Sequence, residues 1–166
     1  LSKHLAENPT LTDAYDPRNL LCVDLGFLTG MGVMTARRTY ISALSPLKTS
    51  LNGTNGFYYS AGSGDFGPEM RRCGLDSLDV VGKSEKPVYL VLDYRDGKLE
   101  TKLEDASQLT GLSTDQKVRY LADKFDNAAF AVIGPAGENQ VRYASVAFST
   151  TNQIRHGSKH MRFAGR

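Results

Sequence analysis

Cysteine is scarce in this chain: Cys22 and Cys73 are the only two among 166 residues, and no C-x-x-C pair exists. A zinc ribbon or an iron–sulfur cradle built within the chain is thereby excluded, because each needs about four clustered ligands. Two thiols in separate segments read instead as buried free cysteines of a reducing cytoplasm. Net charge is small as well, twenty basic residues against eighteen acidic giving +2. That excludes a whole-surface field for nucleic acid or membrane, so any anion site has to come from local clustering. Long apolar runs are missing too. The longest, Ala128 to Ile133, falls far short of the ~20 residues that span a bilayer, and no signal peptide is visible. Neither nucleic acid nor membrane is an expected partner, and the expected location is cytoplasmic. The chain opens at Leu1 without an initiator Met, which suggests a piece of a longer polypeptide. Internal repeats and low-complexity tracts are also absent.

What is present suits one folded domain. Hydrophobic residues make up 40% and charged residues 23%, enough apolar surface for a core. β-Branched and aromatic content predicts strands over Leu20–Leu25, Thr39–Leu44, Leu78–Val81, Pro87–Tyr94, Lys98–Leu103, Ala129–Ile133 and Val141–Phe148. The weak alternation of Val88 to Leu92 predicts burial on both faces. Asp96-Gly97 is a hairpin turn signal that pairs the flanking strands antiparallel. Ser113-Thr114-Asp115-Gln116 forms a capping box, after which Val118, Leu121, Ala122 and Phe125 repeat at helical spacing. A shorter helix is expected from Pro68 to Cys73, with Pro in its first turn and Gly74 past its end. Strands outnumber helices and do not alternate with them, so the expected class is α+β, a mixed β-sheet domain with few helices.

Two stretches carry candidate chemistry. Ser60 to Glu69 contains Gly62, Gly64 and Gly67 in a G-x-G-x-x-G spacing that leads into the short helix. Such a loop lets main-chain amides approach an anion, and a helix N-terminus adds partial positive charge. As a dinucleotide fingerprint it fits poorly, because the helix is barely two turns long and no βαβ unit surrounds it. The alternative is a glycine-rich turn packed under a sheet. The second stretch, Arg155 to Arg166, gathers Arg155, Lys159, Arg162 and Arg166. A run like this is commonly a solvated tail, yet Ala164-Gly165 between two arginines would let backbone and guanidinium groups close on one ligand. Guanidinium forks suit phosphate because they bond two oxygens at once. His156 and His160, separated by Gly157 and Ser158 with no carboxylate nearby, make a poor metal pair.

Several strings occur together and in order: Leu28-Thr29-Gly30; Arg38 followed by Ser45-Pro46-Leu47; Gly62 to Glu69; Gly82-Lys83-Ser84-Glu85-Lys86-Pro87-Val88-Tyr89; Asp105-Ala106-Ser107; Ile133-Gly134-Pro135-Ala136-Gly137-Glu138-Asn139; and Arg162-Phe163-Ala164-Gly165-Arg166. In these the chain resembles the N-terminal domain of the aldehyde:ferredoxin oxidoreductase family. The resemblance implies a single partial domain over residues 1–166 that cradles tungsten, or molybdenum, held by the dithiolene sulfurs of two pyranopterins. It implies cofactor contacts from Arg38, Ala61, Ser63, Arg162, Phe163, Gly165 and Arg166. Magnesium bridging the pterin phosphates would take the main-chain carbonyls of Ala61 and Phe163. The family's first strands, its 4Fe–4S cluster and its catalytic acid–base residues would lie outside this stretch, so the chain alone is not expected to oxidise an aldehyde. Implied partners are the remainder of the enzyme, as the same or another chain, and ferredoxin as electron acceptor.

The chain departs from the family pattern at Ala61-Gly62-Ser63-Gly64, where Asn-Ser-Gly-Gly is usual, and at Phe163, where a small residue is usual. Leu44 replaces a Lys, Lys48-Thr49 replaces Thr-Gly, and insertions fall between Ser50 and Ser60 and between Phe148 and Arg162. The altered loop at Ala61–Ser63 and the bulky Phe163 support an alternative: a degenerate, cofactor-free scaffold or partner-binding module of the same fold. A third reading is a phosphate- or nucleotide-binding protein using Gly62 to Gly67.

Overall fold

The computed structural model describes residues 1–150 and the backbone of 162–164. Three antiparallel sheets form the domain. The largest has the order β3-β2-β1-β4, from β1 (Leu21–Leu25), β2 (Arg38–Thr49), β3 (Asn55–Ser63) and β4 (Ser77–Val80). β5 (Val88–Arg95) and β6 (Lys98–Asp105) make a two-stranded sheet, and β7 (Ala131–Ile133), β8 (Val146–Phe148) and β9 (Arg162–Ala164) make the third. Helices are few: α1 (Ser2–Glu7), α2 (Phe66–Arg72), α3 (Thr114–Lys124) and α4 (Pro135–Glu138), with one 3-10 turn at Ser107–Leu109. The α+β class read from the sequence is the class observed.

Local chemistry explains most boundaries. Asp96 and Gly97 both adopt positive φ, 51° and 77°, which is what a two-residue turn between twisted strands requires. At α3 the capping box forms: Ser113 Oγ accepts from the Gln116 amide, and Gln116 Oε1 accepts from the Ser113 amide at 2.9 Å. Val118 and Leu121 are fully buried and join Ala106, Leu109, Phe130, Val132 and Ala147 in one core cluster. α2 ends at Cys73, and Gly74 follows at φ 77°, the left-handed stop that glycine favours.

Three expectations need correction. β3 replaces what reads as an insertion and a loop, since its alternation of Phe57, Tyr59 and Ala61 is hidden by glycines and serines. The strand expected over Val141–Phe148 is confined to β8, because residues 135–144 are taken up by α4 and turns. β5 is not buried on both faces: Val88 and Leu90 are exposed. Within the Arg155–Arg166 run the backbone of β9 pairs Arg162 with Phe148 and Ala164 with Val146. The His156/His160 pair, Gly165 and Arg166 lie outside the described residues.

Candidate functional site

Register across β2 and β3 assembles the site. Arg38 stands opposite Ser63, Tyr40 opposite Ala61, and Ser42 opposite Tyr59. Directly opposed residues of an antiparallel pair share a face, so Arg38, Tyr40, Ala61 and Ser63 lie on one face of the large sheet. Along that face Phe57 and Tyr59 are exposed, with ring centroids 6.3 Å apart. β9 lies beside β3. The backbone of Arg162 and Phe163 therefore comes into the neighbourhood of Arg38, Ala61 and Ser63, residues that lie far earlier in the chain.

Two adjacent arginines divide the work. The Arg37 guanidinium pairs with the Asp65 carboxylate, and its Nε donates to the Gly64 carbonyl at 3.3 Å. Arg38 is exposed and makes no ion pair with a described residue. Its own carbonyl accepts from the buried Thr29 hydroxyl at 2.9 Å, which fixes the start of β2 against the preceding loop. That loop is pinned from α2. The Arg71 side chain donates to the carbonyls of Thr29 and Gly26, each at 3.1 Å, to that of Phe27 at 3.3 Å, and pairs with Asp76. The sequence reading missed Arg37, Asp65 and Arg71. The doublet Arg37-Arg38 carried a signal, because neighbours at a strand entry face opposite ways and seldom share one ligand.

Two glycines of the G-x-G-x-x-G spacing, Gly64 and Gly67, serve packing. Gly62 lies within β3, opposite Thr39. A Cβ at Gly64 would stand 2.7 Å from the Ser149 carbonyl oxygen, and one at Gly67 would stand 2.6 Å from Thr39 Oγ1. The same junction is closed by the Asp65 amide donating to Ser149 at 3.0 Å and by Phe66 stacking on Phe148 at 5.5 Å. None of the three glycines adopts positive φ, so the alternating backbone handedness of an anion nest does not arise. The Asp65 carboxylate stands at the N-cap of α2. Gly64 and Gly67 therefore fit the packed glycine turn.

Both thiols are free. Cys22 is buried and Cys73 half-buried. Burial, chiefly, pushes both pKa values up, helped by Asp79 at Cys22 and by Glu69 and Asp93 at Cys73. Among the described residues no cluster of three or more His, Cys, Asp or Glu could hold a metal ion, and no helix is long and apolar enough to cross a membrane.

Residues 1–166 match the family described as aldehyde ferredoxin oxidoreductase, N-terminal domain, and the chain belongs to that family. It is 34% identical over 145 residues to the tungsten-containing aldehyde ferredoxin oxidoreductase of Pyrococcus horikoshii, covering 86% of this chain and 22% of that protein. It is 27% identical over 143 residues to the glyceraldehyde-3-phosphate:ferredoxin oxidoreductase of Pyrococcus furiosus, covering 76% and 21%. Among solved structures, the active site complex BamBC of benzoyl coenzyme A reductase with 1,5-dienoyl-CoA is similar, with a TM-score of 0.72 and 28% identity. That match covers 89% of this chain and 22% of the other. The chain thus spans about a fifth of the length of these relatives.

Proposed function

We propose that this chain is the cofactor-holding N-terminal domain of a larger tungsten- or molybdenum-pterin oxidoreductase acting on an aldehyde, with ferredoxin as the electron acceptor. The observation that supports this reading is Arg38. Its guanidinium has no ionic partner among the described residues, and it stands opposite Ser63 on an open sheet face beside the strand that carries Arg162 and Phe163. A dianionic pterin phosphate is the kind of ligand that an unpaired guanidinium and neighbouring main-chain groups recognise. The residues present fit the group. A bis-pterin metal brings its own sulfur ligands, so the protein has to supply cationic and hydrogen-bonding groups rather than cysteines.

In this reading Arg38, Arg162 and Arg166 bind pterin and phosphate, while main-chain groups of Ala61, Ser63, Phe163 and Gly165 line the cofactor. The Ala61 and Phe163 carbonyls would take magnesium, a hard cation suited to oxygen ligands. When bound, the metal–pterin group accepts two electrons from the substrate carbonyl carbon. This domain's residues position that group and set the charge around it. Arg37 and Arg71 act at one remove, holding the β3–α2 junction and the loop at Gly26–Thr29 in place. A 4Fe–4S cluster and the acid–base residues belong to the remainder of the protein.

The test is metal and pterin analysis of the native polypeptide bearing this domain, with and without Arg38→Ala. Stoichiometric tungsten or molybdenum with pterin, reduced in the variant while circular dichroism is unchanged, is the expected result. Native protein free of both would overturn the reading and leave the cofactor-free scaffold.

A further inference from the structure

The β5–β6 hairpin turns its apolar side outward. Its register sets Leu90 opposite Leu103, Leu92 opposite Thr101 and Tyr94 opposite Leu99. With Val88, these side chains make one face, and strict alternation sends Lys98, Glu100, Lys102 and Glu104 to the other. The second face is the one attached to the domain. Tyr89 packs edge-on against Phe125 with centroids 6.3 Å apart, and Lys124 donates to Tyr89 Oη at 2.7 Å and to Glu104 at 2.5 Å. The apolar face is left open: Leu103 is 70% exposed, Tyr94 47%, and Val88 and Leu90 39% each. A two-stranded sheet is marginal in water unless its apolar face is covered.

The dimensions of the face select its occupant. Two strands of eight residues present a face roughly 27 Å long and about 10 Å wide, near 270 Å². A stable complex of separate chains needs ~800 Å² on each side, so a second copy cannot be held here by this face alone. A tethered element can, because the tether supplies the effective concentration that area does not. Residues 151–161 are too polar to serve, with Ile154 and Met161 their only large apolar side chains. The width matches the diameter of one helix, ~10–12 Å, and the length matches about 18 helical residues.

We infer that the outer face of β5–β6, at Val88, Leu90, Tyr94, Leu99 and Leu103, seats one amphipathic helix from a later part of the same polypeptide. The inference rests on the reading of this chain as the first domain of a longer protein, which relatives about four times its length support.

Thiol labelling of the full polypeptide tests it. Leu103→Cys should react at least about tenfold more slowly than Glu100→Cys on the opposite face, with peptide mapping to separate both from Cys22 and Cys73. A photo-cross-linker placed at Leu103→Cys, in a mixture of heavy- and light-isotope protein, should capture a helical peptide of the same chain. Equal labelling at the two positions would overturn the inference, and so would mixed-isotope cross-links, which mean a second copy. Metal content of the same preparation is measured separately, so loss of the cofactor reading and loss of the helix seat are told apart.

Discussion

Arg37 reaches from the entry of β2 to Asp65 at the N-cap of α2, and so frees its neighbour Arg38 to face Ser63 across the ladder. The two arginines should behave oppositely on substitution. Arg37→Ala removes a charge-assisted contact to a buried carboxylate and should cost about 1–2 kcal/mol of stability, half the guanidinium being in water. Arg38→Ala should leave the denaturation midpoint within about 0.5 kcal/mol of the parent and lower pterin and metal content instead. Urea melts alongside elemental analysis make the comparison; a cofactor loss confined to Arg37→Ala would reverse the assignment.

Arg162→Ala and Arg166→Ala, made in the full polypeptide, should likewise each remove a charge-assisted hydrogen bond of about 1.5–3 kcal/mol and reduce cofactor content. Arg→Lys should rescue only in part, since an ammonium lacks the bidentate fork. Full metal loading in all the Arg→Ala variants would leave only the fold in common with the family.

Glu138 is held by Lys117, which is buried and also donates to the Ile133 carbonyl at 2.8 Å, and by the Gly111 amide at 2.8 Å. Its carboxyl pKa is lowered, first by Lys117 and then by Gly111. A depressed carboxylate contributes stability that is present above its unfolded pKa and lost as pH falls through the folded one. Lys117→Met should therefore cost about 2–3 kcal/mol at neutral pH. The gap between variant and parent should close on acidification below about pH 4. Melts from pH 3 to 8 that keep a constant gap would contradict it.

Gly64 has no room for a side chain. Gly64→Ala should destabilise by about 1–3 kcal/mol through overpacking against Ser149 and Phe148. Gly53→Ala, with open space around it but a φ of 83°, should show only the strain of a left-handed backbone, about 1 kcal/mol. Thermal melts of the pair separate the two causes.

The two raised thiols should react with Ellman's reagent at pH 8 at least about tenfold more slowly in the native chain than in denaturant. Anaerobically prepared chain should hold no stoichiometric iron or sulfide, since a cluster needs about four thiolates.

Much of the fold was legible in the sequence because local rules and tertiary context agree at the Asp96-Gly97 turn, the Ser113 capping box and the Gly74 stop. β3 was not legible: its apolar alternation is interrupted by Gly56, Ser60 and Gly62. The buried reading of β5 failed for a different reason. Its aliphatic run is as apolar as an inner strand, and only β6, alternating Lys98, Glu100, Lys102 and Glu104 with Leu99 and Leu103, shows that the ribbon has one dry side. Of the candidate site, Arg38, Ala61 and Ser63 are brought together by register, which a linear sequence does not display. Arg71 was invisible, and Arg37 showed only as half of a doublet, because their partners, the Gly26–Thr29 carbonyls and Asp65, lie far along the chain.

The left-handed pair at Asp96 and Gly97 also sets an order of events during synthesis. The β5–β6 ribbon joins neighbours in sequence, so its register can close within microseconds of residue 105 becoming free. β1 and β4, although both are free by then, have to pair across a long stretch of chain, their partners Leu21 and Val80 being far apart, and β8 has to wait for β9. Non-local pairings of that kind are slow. The ribbon is therefore complete while the polypeptide is still short, with Leu90 and Leu103 side by side in water. For that interval the nascent chain carries an uncovered apolar surface, the kind that makes partly folded chains prone to association.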